Sequence, residues 1–183
     1  MPGKFHGEQQ EGILRWLVEN WIPHGPPVAI LEGFPGCGKS QLAREVANQV
    51  ERAVGPVEPP EESEDRAREL FLELAVILEQ HSLPELAHAF DVGRGARFDK
   101  ALLQTLRSNR ILIVVDEFQR LFPKEDTTPA QSWAKLVEQL SNSPNPAGRL
   151  LLVSNRLIKN DRWCENCRIK EVQGLIDAEA EAY

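Results

Sequence analysis

The stretch Gly33-Phe34-Pro35-Gly36-Cys37-Gly38-Lys39-Ser40 limits the possible folds of this chain more than any other segment. It follows an apolar run, Val28-Ala29-Ile30-Leu31, and opens a helical pattern, Gln41-Leu42-Ala43-Arg44-Glu45-Val46-Ala47. A Gly-x4-Gly-Lys-Ser loop joining a buried strand to a helix belongs to an α/β architecture. Its glycines let the backbone curl so that successive N–H groups point at an anion, and the helix N-terminus adds its dipole. Lys39 then reaches the β- and γ-phosphates as a point charge, and Ser40 places its hydroxyl on Mg²⁺. Gln41, the next residue, is counted with the cradle. An ordinary Gly/Pro turn accounts for the glycines but not for the lysine, the serine or the flanking elements. The spacing predicts a nucleoside triphosphate site.

A second run supplies the acids such a site needs. Ile111-Leu112-Ile113-Val114-Val115 is continuous and apolar, as suits a central strand buried on both faces, and it ends in Asp116-Glu117. Ligands gather at the carboxyl ends of strands in open α/β sheets, so both acids are expected to face the phosphate loop. Asp116 is expected to hold Mg²⁺, directly or through water, and Glu117 to orient and deprotonate an attacking water. A third strand, Leu150-Leu151-Leu152-Val153, runs into Ser154-Asn155-Arg156. By charge Arg156 is the better γ-phosphate sensor, whereas Asn155 can position water.

The remaining elements follow from periodicity. Residues 8–21 read as one amphipathic helix, and the phosphate-loop helix reads as running to about Val54. Residues 55–64 read as a Pro- and Glu-rich loop, so a second strand there is short or absent. The acids Glu58, Glu61, Glu62, Glu64 and Asp65 suit a solvated loop and a helix start better than a metal site. Helices are expected from about Glu64, around 86–90 and over 98–107, with Gly93 and Gly95 as a breaker. Another helix carries Trp133, Leu136, Val137 and Leu140, and a last strand spans 169–172. Together these give a doubly wound, mainly parallel α/β sheet.

The chain of 183 residues carries a formal charge of −7, which gives no bulk attraction to nucleic acid or to an anionic membrane. No apolar run approaches the roughly 20 residues needed to span a bilayer. Three cysteines form no even disulfide framework, and the N-terminus lacks the apolar core of a secretory signal, so a cytoplasmic home is expected. Cys164-x-x-Cys167 is a lone pair where zinc needs about four ligands. His81 and His88 lie far from it in sequence.

These motifs in this order resemble the additional-strand P-loop ATPases, and among them the STAND class that includes NB-ARC and NACHT domains. The resemblance rests on residues 33–40, 111–117 and 148–156, on Val172-Gln173-Gly174-Leu175 before Asp177-Ala178, and on Phe5-His6-Gly7. It implies a three-layer α/β/α sandwich, with residues 1–27 as a helical leader and 28–183 as the ATPase core. It implies ATP or ADP with Mg²⁺ as cofactors, adenine rather than guanine, and Arg156 as sensor. Hydrolysis would be slow or dependent on further domains, within a signalling or defence switch that meets protein partners or copies of itself. The leader has Glu8 where an arginine is usual. The chain stops at Tyr183, about where lid and winged-helix domains are expected. The wording Asp116-Glu117-Phe118-Gln119-Arg120-Leu121 is also similar to AAA+ and archaeal-type ATPases. An AAA+ oligomer in remodelling or DNA-associated work therefore stays open, as do a small-molecule kinase and a scaffold that binds nucleotide without cleaving it.

Overall fold

Alternating apolar runs and amphipathic stretches close into one parallel sheet. Its strands are β1 (Val28–Glu32), β2 (Ala53–Val57), β3 (Leu112–Val115), β4 (Arg149–Ser154) and β5 (Arg168–Glu171), paired in the order β2-β3-β4-β1-β5. All four pairings are parallel. This computed structural model describes residues 7–91, 97–123, 127–158 and 161–174. Strand β4 lies between the strand that feeds the phosphate loop and the strand that ends in the acids, which is the additional-strand arrangement.

Burial follows from strand periodicity. In the three central strands Val28, Ile30, Ile113, Val115, Leu150 and Leu152 join one core cluster. Their neighbours Ala29, Leu31, Leu112, Val114, Leu151 and Val153 join a second on the other face. Successive side chains point to opposite faces, so a run apolar at every position needs cover on both. One cover is built from α4 (Arg66–Gln80), α5 (Glu85–Asp91), α6 (Phe98–Ser108) and α7 (Gln131–Ser141). Phe71 stacks on Trp133 at its centre, with centroids 4.9 Å apart. The other cover is α3 (Lys39–Gln49) with the N-terminal helical segment. The result is the expected three-layer sandwich.

Several boundaries differ from expectation. The N-terminal helix is not uniform: α1 (Glu8–Trp16) passes into a π-helical turn, Leu17–Trp21, and then α2 (Ile22–His24). That wider turn carries the fully buried Leu17 and Trp21, and Trp21 Nε1 donates to the Pro26 carbonyl at 2.8 Å. The phosphate-loop helix ends at Gln49, because Val50 is already extended.

The second strand, expected to be short or absent, is five residues long and pairs with β3 through Ala53↔Leu112, Val54↔Ile113 and Val57↔Val115. Its pattern is hard to read because Gly55-Pro56 shifts the register between Val54 and Val57. An edge strand tolerates proline, and a Cβ at Gly55 would lie 2.3 Å from the Val114 carbonyl oxygen. Helix α4 starts behind Asp65, whose carboxylate accepts the Arg68 N–H at 3.0 Å. The last strand lies one residue earlier than expected. Phe5, His6, Gly93, Gly95, Leu175, Asp177 and Ala178 lie outside the described residues. Among the described residues no helix is long and apolar enough to cross a membrane.

Candidate functional site

The phosphate loop leaves β1 and turns into α3 without a side-chain cap on the helix. Gly33, Gly36 and Gly38 have φ of 149°, 82° and 91°, and the last forms the left-handed N-cap. A Cβ at Gly36 or Gly38 would meet nothing within 4 Å, so the loop encloses space rather than packed atoms. The first N–H groups of α3 carry no side-chain partner and point into that space. Cys37 N–H closes the loop on the Phe34 carbonyl at 3.4 Å, while the Phe34 ring is exposed, as are Pro35 and Gly36. Ser40 and Gln41 lie half-buried in the first turn of α3.

Lys39 is only 3% exposed, and its Nζ donates to the Phe34 carbonyl at 2.7 Å with Cys37 Sγ 3.4 Å away. Among the described residues no carboxylate pairs with it. Asp116, 2% exposed, is equally short of a cation: its Oδ1 accepts the Glu117 N–H at 2.8 Å. An unpaired buried charge costs several kcal/mol. An ammonium beside an empty cradle fits a polyanion, and a buried carboxylate at the end of the neighbouring acidic strand fits a divalent cation. The residues present therefore fit a magnesium-bound nucleotide, which takes one or two protein oxygens and completes its shell with phosphate and water.

Glu117 is the most constrained residue in the site. Its φ of 51° and ψ of 33° place a non-glycine residue in the left-handed region, a local strain that the surroundings must hold. Asn155 Nδ2 donates to its Oε1 at 3.0 Å, and Gln119 Nε2 to its Oε2 at 2.5 Å. Gln119 Oε1 in turn accepts the Asn155 N–H at 2.9 Å, so one glutamine ties the end of β4 to the turn after β3. Arg120 stands 3.6 Å from Glu117 and also pairs with Glu58 and Glu61 at 3.2 and 3.3 Å. The acids Glu58, Glu61, Glu62, Glu64 and Asp65 are all exposed, as expected of a solvated loop and helix start, and two of them pair with Arg120.

Arg156 takes a different place. Its backbone N–H donates to Ser154 Oγ at 3.0 Å, and its guanidinium lies 5.3 Å from the Phe122 ring centroid. The structure thus brings Asp116, Glu117 and Asn155 together and sends the Arg156 side chain onto an aromatic ring. Sequence reasoning missed Gln119 and Arg120 as members of the site. Their position directly after the acidic pair was the available signal, but it could not show which way the turn would point them. Cys164 and Cys167 form no disulfide with each other, and burial pushes the Cys167 thiol up to about 12. Among the described residues no group of His, Cys, Asp and Glu side chains is arranged to hold a metal by itself.

A five-stranded parallel sheet with β4 inserted between the phosphate-loop strand and the acidic strand defines a P-loop ATPase core. The chain belongs to the AAA domain family, whose profile matches residues 23–158. Among solved structures it is similar to the Aeropyrum pernix ORC1 protein in complex with DNA, at 20% identity and a TM-score of 0.59. It is also similar to C. elegans PCH-2, at 13% identity and a TM-score of 0.52. The alignments cover 94% and 97% of this chain but 47% and 46% of those chains, so it spans just under half their length. At such identities the likeness bears on the fold. A comparison with curated proteins gives no match.

Proposed function

We propose that this chain is the ATP-binding and hydrolysing core of an AAA+-type ATPase that works as an oligomer in remodelling or DNA-associated work. The observation that carries the proposal is the held carboxylate of Glu117, beside the buried Asp116 and at the same end of the sheet as the phosphate loop. In this reading Lys39 and the loop N–H groups bind the phosphates, while Ser40 and Asp116 hold Mg²⁺. Bound magnesium nucleotide supplies the electrophilic γ-phosphorus with its charge partly neutralised. Glu117 takes the proton of the attacking water, and Asn155 fixes the carboxylate and that water in line. Arg156 must leave the Phe122 ring to report on a γ-phosphate, so Asn155 takes the sensing position first.

An AAA+ site is completed by an arginine from a neighbouring copy, which makes assembly part of the activity. The ORC1 relative is in complex with DNA. With a formal charge of −7, this chain would contact DNA through a local patch or through segments beyond it. The narrower likeness to STAND switches, with ADP held at rest, draws no support from the family profile or from either structure.

Concentration dependence tests the oligomer reading. ATPase activity per subunit is expected to rise with protein concentration, together with a shift to larger species in magnesium ATP by sedimentation velocity. A rate per subunit independent of concentration, in a protein that stays monomeric with nucleotide bound, contradicts it.

A further inference from the structure

A second cavity lies at the opposite pole of the sheet, at the amino ends of the strands, and encloses about 270 Å³. Three arginines line it, Arg52, Arg110 and Arg149, over an apolar wall that includes Val18, Ile22 and Ile111. The sheet itself assembles the trio. Arg52 precedes β2, Arg110 lies two residues before β3, and Arg149 begins β4. Leu112 N–H donates to the Arg52 carbonyl at 3.0 Å, and Arg149 N–H to the Ile111 carbonyl at 2.8 Å. Neighbouring strands are spaced by roughly 4.8 Å, so the three arginines stand on successive strands at one rim of the sheet.

Some of this positive charge has a local structural use. Arg52 Nη2 donates to the His81 carbonyl at 2.6 Å, at the C-terminus of α4. Arg149 Nη1 donates to the Pro146 and Gly148 carbonyls at 2.9 and 3.0 Å. Carbonyls satisfy donors but do not neutralise a cation. None of the three arginines is paired with a carboxylate among the described residues, although Glu51 lines the same cavity.

Two further features point to a ligand. Arg149 Nε is buried and has no hydrogen-bond partner, and burial holds this guanidinium below its usual pKa range. A guanidinium loses water there without gaining an anion, which is costly unless something fills the gap. The wall carrying Val18 and Ile22 is the π-helical turn and its exit, and π-helical turns are frequent at functional sites. In a chain whose formal charge is −7, a rim of three unpaired arginines is the exception.

We propose that this cavity is a second ligand site, separate from the nucleotide site, which takes a small multiply charged oxyanion. The chemistry is that of a phosphorylated small molecule or a short polyphosphate. Guanidinium groups present paired N–H donors that match such oxyanions, and the apolar wall accepts the uncharged part of a phosphorylated metabolite. The phosphate loop sits at the carboxyl ends of the strands, so one molecule of this size cannot reach both sites.

The test is calorimetric titration with pyrophosphate and, separately, with an aryl phosphate that carries an apolar body. The protein is first saturated with magnesium ADP, so that the phosphate loop is filled and its occupancy is checked independently. Both probes are expected to bind, more weakly as salt rises, with the aryl phosphate favoured if the source is a metabolite and pyrophosphate if it is a polyphosphate. Arg110→Ala changes an exposed side chain at a strand start and is expected to weaken binding at least tenfold. Arg149→Met, which keeps the apolar stem, is expected to do the same, with ADP affinity and thermal midpoint recorded for each variant. Binding that both variants leave unchanged overturns the proposal. So does the absence of binding by either probe at millimolar concentration to a folded, ADP-loaded protein. Retention of single-stranded DNA by this face without retention of either probe also overturns it.

Discussion

Glu117 pays for its position with a left-handed backbone, and three side chains hold its carboxylate: Asn155, Gln119 and Arg120. Removing the charge but not the shape separates binding from cleavage. Glu117→Gln is expected to keep ATP affinity within a few-fold while lowering single-turnover hydrolysis by about 10²–10⁴. Asn155→Ala removes one tether and is expected to lower kcat by about 10- to 100-fold with KM nearly unchanged, equivalent to roughly 1.4–2.8 kcal/mol in the barrier. A rise in KM with constant kcat would make Asn155 a binding residue instead.

The placement of the phosphate loop, Asp116 and Glu117 at strand ends was legible in sequence because each follows on an apolar run. The partners of Glu117 were not. They depend on how a 3₁₀ turn, Phe118–Leu121, aims Gln119 and Arg120, and on a register that carries the end of β4 past that turn. By charge alone Arg156 looked the better partner for the γ-phosphate, but the Phe122 ring takes its guanidinium.

Cys167 offers a pH-dependent reading at the same scale. Its thiol is pushed up to about 12 by burial, above its value in an unfolded chain, so the neutral form belongs to the folded state. That contribution is complete below the unfolded pKa of roughly 8.5 and is lost as pH rises toward the folded value. Cys167→Ala is expected to flatten the alkaline fall in thermal midpoint above about pH 9. An unchanged alkaline slope would show that other groups govern it.

At the scale of elements, strands buried on both faces declared themselves as unbroken apolar runs, whereas the edge strand β2 did not. Its apolar side chains are few, and Gly55-Pro56 breaks the alternation that a sequence pattern needs. Gly55 is held at φ 99°, where a Cβ would lie 2.3 Å from the Val114 carbonyl oxygen. Gly55→Ala is therefore expected to destabilise the chain by about 1–3 kcal/mol, seen as a lower urea midpoint with unchanged slope. The end of this strand also holds the site: Asp116 N–H donates to the Val57 carbonyl at 2.8 Å. Magnesium nucleotide is expected to recover part of the lost stability, because ligand binding favours the folded state. The N-terminal helix was legible in its apolar spacing, but not in its π-helical turn, because a one-residue widening leaves that spacing nearly intact.

Across the whole molecule, topology places the functional chemistry. The order β2-β3-β4-β1-β5 brings the ends of β1, β3 and β4 together and sets the phosphate loop, the acidic pair and Asn155 at one pole. Lys39 and Asp116 are both almost fully buried, and neither is paired with an opposite charge among the described residues. A magnesium nucleotide bound between them would supply the missing charges. Equilibrium titration of ATP, with and without Mg²⁺, into the wild-type chain, Lys39→Ala and Asp116→Asn tests that claim most directly. The account predicts tight binding by the wild type, at least about 100-fold weaker binding by Lys39→Ala, and loss of the magnesium enhancement in Asp116→Asn. Equal affinities across the three proteins, each shown to be folded, would contradict it.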